Sequence, residues 1–275
     1  MKYKYWSNRR VLLVAEDNGI RPGPAATASL GVNLGVFQAQ VQEPAGQIKQ
    51  RTELADAVER VIGDQAEVTF ARLPAVEWAE GAGTVHFSEV HGQHETEAVV
   101  LHVRTADPQG RQVDLCLFGS REHTRPFRMT EMYERQDVGS GLGTATQLIT
   151  NFDDRLREGE HLRLPVHPQL AWAAVRLAAH YERPLAERER LYVSSMHLEQ
   201  GPECEWFAEI YCDVVLPEMF RSEGYHRVLI GAPLWVRTAT PETLERYRRA
   251  REGRASPLTR LLRRPGSRGP GEAGS

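Results

Sequence analysis

The chain has 275 residues, of which 41% are hydrophobic and 26% charged, and a formal net charge of −3. This is the ordinary composition of a globular protein large enough to fold without covalent staples. It excludes a membrane-spanning helix, because no apolar run approaches the roughly 20 residues required, and three scattered cysteines exclude a disulfide framework.

The opening Met1-Lys-Tyr-Lys-Tyr-Trp6 lacks the basic, apolar and small-residue zones of a signal peptide. With Cys116, Cys204 and Cys212 read as reduced and mostly buried thiols, the expected setting is cytoplasmic. Charge is polarised along the chain. From Arg237 to the end, ten arginines face four glutamates, a balance of +6 that leaves −9 for the remainder. An acidic body with a basic end bears on partners, not on fold.

Lys2–Trp6 reads as a short aromatic strand, and Ser7 or Asn8 as the N-cap of a helix carrying Val11, Leu12 and Ala15 and stopping at Asn18-Gly19. The stretch 21–46 is rich in Gly, Pro, Ala and Gln and reads as a loop around Leu34-Gly-Val-Phe37. Thr52 opens a helix with Leu54, Val58, Val61 and Ile62 at helical spacing, ended by Gly63-Asp64. Glu67–Ala71 reads as a strand.

A β-meander follows. Thr84–Val90 alternates, Glu97–Arg104 is nearly continuous in apolar residues, and Val113–Phe118 returns after Asp107-Pro-Gln-Gly110, whose residues suit a type I turn. Thr144-Ala-Thr-Gln147 has the form of a capping box for a helix with Leu148, Ile149, Phe152 and Leu156. From Pro168 a second helix, apolar almost all round, runs toward Pro184 and is expected to be buried. After the charged stretch Glu182–Arg190, Leu191-Tyr-Val-Ser194 echoes Tyr3–Ser7, and strands are expected over Trp206–Val215 and Arg227–Val236. Thr240-Pro241 starts a last helix to Glu252, and the Arg-, Pro-, Gly- and Ser-rich end is expected to be disordered.

These elements predict an α+β fold made of two antiparallel β-sheet units with helices packed against them. Arg227-Val-Leu-Ile-Gly-Ala-Pro233 echoes Val113-Asp-Leu-Cys-Leu-Phe-Gly-Ser120, which suggests pseudo-duplication. The expected division is 1–182 as an N-terminal unit, 183–253 as a C-terminal hairpin and helix unit, whether separate or continuous with the first, and 254–275 as a basic tail.

The strongest ligand signal is Gly139, Ser140, Gly141 and Gly143 leading into Thr144. Backbone N–H groups at a helix start, unobstructed by Cβ atoms, attract phosphate or carboxylate. The segment is neither a Rossmann nor a P-loop fingerprint, since no apolar strand leads into it and no Gly-Lys-Ser/Thr follows. A flexible hinge before a capped helix is the simpler reading.

His86, His91 and His94, with nearby His102 and glutamates, offer ligands for zinc or another transition metal. His91-Gly-Gln-His94-Glu95 is not His-Glu-x-x-His, however, and a solvated turn explains it as well. Ser120 with His123 lacks the Gly-x-Ser-x-Gly elbow, so Gly119-Ser120 is better explained by close backbone packing. Cys204, Cys212 and His197 match no finger spacing. Nine arginines from Arg246 to Arg268 lack the aromatic platforms or motifs of a nucleic-acid binder.

Tyr5-Trp-Ser-Asn-Arg-Arg10, the later hairpin and Leu115-Cys-Leu-Phe-Gly-Ser120 together resemble an uncharacterised family of actinobacterial proteins, a domain of unknown function, over about residues 1–125. Some members are encoded beside bacterial conflict or signalling modules. The resemblance implies an accessory or sensing role and no catalytic residues.

The leading expectation is a non-enzymatic binding or interaction protein that senses a small anionic ligand, or meets a protein partner, with no cofactor specified. The alternatives are a metal-dependent hydrolase or nuclease using His86, His91 and His94, and a nucleic-acid binder acting through the Arg-rich end.

Overall fold

A computed structural model describes residues 2–20, 45–71, 76–91, 97–124, 149, 166–180, 195–221 and 224–251. In chain order the elements are β1 (Tyr3–Trp6), α1 (Asn8–Asp17), α2 (Ala45–Ile62), β2 (Trp78–His91), β3 (Glu97–Ala106), β4 (Gln112–Ser120), α3 (Val166–His180), β5 (Ser195–Val215), α4 (Glu218–Arg221), β6 (Arg227–Thr238) and α5 (Pro241–Arg251).

The two separate sheet units expected from the sequence are not found. The strands join in the order β6-β4-β3-β2-β5, and β5 pairs again with β6, closing a five-stranded mixed barrel with β1 added to β6. Both expected hairpins exist, β3–β4 and β5–β6, but they are parts of one sheet. Two seams unite them. β2 runs antiparallel to β5, with Trp78 opposite Glu209, and β4 runs parallel to β6, with Val113 opposite Arg227. The physical reason is edge pairing. Separate hairpins leave rows of backbone N–H and C=O groups without partners, and joining them into a barrel satisfies those groups. Strands from both sides of the expected boundary at 182/183 therefore share the sheet.

So few strands must bend sharply to close. Pairing between β2 and β5 shifts register at Gly83/Val85 and Phe87/Ser88, and pairing between β5 and β6 shifts at Phe207/Ala208 and Ile210/Cys212. Such irregularities increase local twist and turn a strand around a corner. The β3–β4 turn is as expected. The Gly110 N–H donates to the Asp107 carbonyl at 2.9 Å, and the Asp107 carboxylate accepts the Gln109 and Arg111 N–H groups, each at 2.9 Å.

Alternation along the strands sorts the core into three parts. Val85, Phe87, Leu101, Leu115, Trp206 and Leu229 are buried together inside the barrel, with Tyr5 and Phe70 in the same cluster. On the outer wall, Ala98, Val100, Cys116, Phe118, Val228 and Ile230 pack under α3 with Phe220 of α4. Residues 168–179 of α3 are all buried or half-buried, as its all-round apolar sequence predicts. A second outer patch seats α1 and α2 through Val11, Val14, Leu54, Ala55, Val58 and Ile62 on Tyr3, Trp6, Phe207 and Trp235. Among the described residues no helix is long and apolar enough to cross a membrane.

Other local expectations fare differently. Ser7 occupies the N-cap position of α1 without a side-chain cap bond, and Asn8 Oδ1 instead accepts the Trp6 indole N–H. α2 begins at Ala45, seven residues before Thr52. Thr240 caps α5 by accepting the Thr243 N–H at 3.2 Å. Glu67–Ala71 is not a strand and makes only a single bridge from Glu67 to Ala79. The Glu67 carboxylate accepts the Thr69 N–H at 2.9 Å and the Phe70 N–H at 2.7 Å, folding the segment on itself, and Phe70 takes a left-handed φ of 57°. The Leu34–Phe37 run, the helix expected from Thr144 (Ile149 excepted), the 182–190 stretch, Leu191–Ser194 and the tail lie outside the described residues.

The two echoed glycines share a steric cause. A Cβ on Gly119 would overlap the Tyr5 ring and hydroxyl, and one on Gly231 would overlap the Glu209 carbonyl. Both positions lie where a neighbouring group crosses the strand backbone. Gly119→Ala is expected to cost about 1–3 kcal/mol by overpacking. Chemical denaturation of the two proteins side by side measures this, with Gly110→Ala, where a Cβ meets open space but φ is 77°, reporting backbone strain separately.

Candidate functional site

The barrel wall carries charged residues inside otherwise apolar strands, and burial forces each to find a partner. On β3 the outward face that bears Ala98 and Val100 continues as His102 and Arg104, and on β4 the face of Phe118 and Cys116 continues as Asp114. His102 Nε2 lies 3.0 Å from Asp114 Oδ1. The same oxygen accepts Arg104 Nε at 3.2 Å, while Oδ2 accepts Gln112 Nε2 at 2.7 Å. Both side chains of the His102–Asp114 pair are almost wholly withdrawn from solvent, at 2% and 0% exposure. His86 stands directly opposite His102 across the β2–β3 ladder. A carboxylate-backed imidazole is the arrangement a general base uses, but here the carboxylate is equally occupied by a guanidinium and an amide.

One end of the barrel is closed by a buried ion pair. Arg227 donates from Nε to Asp213 Oδ1 at 2.7 Å and from Nη2 to Oδ2 at 2.6 Å, a fork-on-fork geometry. Its Nη1 reaches the Phe70 carbonyl at 2.8 Å, tying the folded 67–70 segment across the barrel end. At the other end, the Tyr5 hydroxyl lies 3.3 Å from His123 Nδ1, with the rings edge to face at 5.6 Å between centroids. His123 belongs to a single 3-10 turn, Arg121–His123, for which buried Ser120 occupies the N-cap position. His123 is thus engaged with Tyr5, and Gly119, four residues before it, permits the close approach of that ring.

Among the described residues, the largest charged cluster lies on the outer wall, where β6, α2 and α5 meet. Arg237 donates from Nε to Glu205 Oε2 at 2.8 Å and from Nη2 to Glu59 Oε1 at 2.9 Å, with Asp56 at 3.7 Å from Nη1. Glu205 Oε1 also accepts Arg246 Nη2 at 2.8 Å, and Arg246 in turn donates to the Tyr247 hydroxyl at 3.0 Å. Burial works against the charge on Arg237, but Glu205 and Glu59 more than offset it and hold the guanidinium firmly protonated. Burial drives the Glu59 carboxyl the other way, up to about 7. Nearby, burial also raises the Tyr211 hydroxyl, whose ring lies under the Arg10 guanidinium that donates to Glu209.

Of the residues singled out from sequence, Gly139, Ser140, Gly141, Gly143, Thr144 and His94 lie outside the described residues. His86 is in mid-β2, and His91 ends that strand opposite Glu97. Among the described residues no group of three His, Cys, Asp or Glu side chains is arranged to hold a metal ion. The three cysteines are thiols outside any disulfide. Cys204 belongs to the interior cluster and Cys212 packs with the outer one, so the barrel wall separates them. On α5, Arg248 and Arg249 both pair with Glu245, at 2.7 and 2.6 Å. Asp114, Asp213, Glu205, Arg227 and Arg237 belong to no motif legible in the sequence, although each interrupts or borders an apolar run.

Fold and clusters together define an α+β protein built on a closed mixed barrel, with helices outside and buried charge pairs in its wall and at one end. Residues 2–240 match the Family of unknown function (DUF7019), and the chain belongs to it. The resemblance noted over the first 125 residues to an uncharacterised family thus extends across nearly the whole described body. No curated protein and no solved structure matches the chain.

Removing one member of the Asp213–Arg227 pair strands a buried charge. Asp213→Ala is expected to cost about 3–5 kcal/mol, whereas Asp213→Leu/Arg227→Met is expected to recover most of that loss. Urea unfolding of the single and double variants measures both.

Proposed function

We propose that this protein works by binding, as a sensor of a small anionic ligand, rather than as a catalyst. The observation that carries the reading is how the buried charges of the described body are used. Asp107, Asp114, Glu205, Arg227 and Arg237 are each engaged by an opposite charge on the same turn or on a neighbouring strand or helix. A catalyst needs an acid, base or nucleophile directed at substrate. These groups are directed at one another, and the side chains clustered in the barrel interior are apolar.

The body then serves as a scaffold, and recognition falls to connecting segments, where binding residues concentrate. Gly139–Thr144 is the segment whose chemistry best suits an anion, through glycine backbone N–H groups ahead of a capping sequence. Ile149, five residues after Thr144, is buried in the cluster beneath α3. That burial supports a recognition segment tied at its C-terminal flank to the barrel wall, so that ligand binding and barrel stability are linked. Three thiols outside any disulfide support a reducing, cytoplasmic setting.

Thermal unfolding in the presence of inorganic phosphate tests the reading. Phosphate is expected to raise the unfolding temperature of the natural protein, and Gly141→Val/Gly143→Val to remove that increase while leaving the phosphate-free value close to normal. A rise that survives the double substitution places the anion elsewhere. If neither phosphate nor a nucleoside triphosphate shifts the natural protein, anion sensing is wrong.

A further inference from the structure

We propose that the carboxyl of Glu59 is a proton-operated latch between α2 and the barrel, holding the helix more tightly with its proton on than off. The geometry behind this is a shortage of positive charge. A single guanidinium, Arg237, faces Glu205 at 2.8 Å, Glu59 at 2.9 Å and Asp56 at 3.7 Å. Glu205, at 2% exposure, is the carboxylate most deeply committed, and it also holds Arg246. Asp56 is half exposed and faces solvent. Glu59, at 19% exposure, sits between them, buried enough for its charge to be costly and open enough to exchange a proton with solvent.

The groups facing it come from every surrounding element. Tyr3 of β1, Glu80 of β2, Glu205 of β5 and Arg237 of β6 line the barrel side, Asp56 lies one turn earlier on α2, and Arg246 and Tyr247 come from α5. Burial raises both tyrosine hydroxyls, so neither contributes charge near neutrality. The carboxyl side chains of Glu80, Glu205 and Asp56 are thus set against only two guanidinium groups, Arg237 and Arg246. Burial, with repulsion from Glu205 and Glu80, outweighs the attraction of the two arginines, and Glu59 keeps its proton up to about 7 instead of the ordinary 4.5.

With α2 undocked, Glu59 is in water and titrates as an ordinary carboxyl. Between about pH 4.5 and pH 7 the docked form therefore binds the proton more tightly, and docking weakens as pH rises through that window. Above it this group contributes no further change. The helix it governs carries Leu54, Ala55, Val58 and Ile62 into the core, so the proton controls a whole packed face rather than a surface side chain.

Hydrogen exchange tests the latch. Between about pH 5 and pH 8, protection of α2 amides, corrected for the intrinsic rate, is expected to fall roughly tenfold or more relative to α3 amides. In Glu59→Gln, which keeps a side-chain acceptor for Arg237 and cannot ionise, the fall should be absent. Equal behaviour in the two proteins, or a flat profile in the natural one, overturns the proposal. A carboxyl carbon titration of the unaltered protein gives a second, independent test, because a Glu59 midpoint near 7 supports the latch and one between about 4 and 5 removes it.

Discussion

Two buried arginine–carboxylate pairs fix β6 against β5, and the closed barrel depends on that register. Arg227 holds Asp213 at one end of the strand, and Arg237 holds Glu205 ten positions later. Between them β6 is buried throughout and has neighbours along both sides, with β5 on one side and first β4, then β1, on the other. A slip of one residue would turn every β6 side chain to the wrong face and strand both guanidiniums in an apolar environment. Buried ion pairs add little net stability compared with well-packed apolar groups, but a register that separates the partners leaves an uncompensated buried charge. Their contribution here is to select one closure among several that an apolar strand permits.

Charge pairing also places the helices. Apolar stripes on α1, α2 and α3 say only that each covers some part of the wall. Glu59 and Asp56 on α2 and Arg246 on α5 say which part, because all three converge on Arg237 and Glu205. Arg251 adds a further tie by donating to the Ala82 carbonyl of β2 at 2.6 Å. Polar contacts thus supply the address, and apolar burial supplies most of the energy.

Local pieces were readable in the sequence because local chemistry decides them. The Asp107–Gly110 turn, the stop of α1 at Asn18-Gly19, the Thr240 cap and the all-round apolar α3 follow from single residues acting over a few positions. The closure was not readable, since the parallel β4–β6 seam and the β2–β5 seam are choices made between distant strands by edges of similar character. Glu67–Ala71 misled because its strand-like composition gives no sign that the Glu67 carboxylate will cap its own neighbours. The charge clusters were half-legible. Asp114 within Val113-Asp-Leu-Cys-Leu117, and Arg227 and Arg237 bracketing an apolar run, announce buried charges, but no spacing rule tells which distant partner each will meet.

The β4–β6 seam also carries a kinetic consequence. It pairs Val113 with Arg227, so its contacts join residues over a hundred positions apart, whereas the β3–β4 hairpin joins neighbours. Loop-closure entropy makes such distant parallel pairing slow relative to hairpin formation. During synthesis the β3–β4 hairpin is complete long before β6 has been made, and β4 waits with one edge open. The nascent chain therefore passes through a stage in which a largely apolar strand is without its final neighbour, the kind of species on which chaperones act.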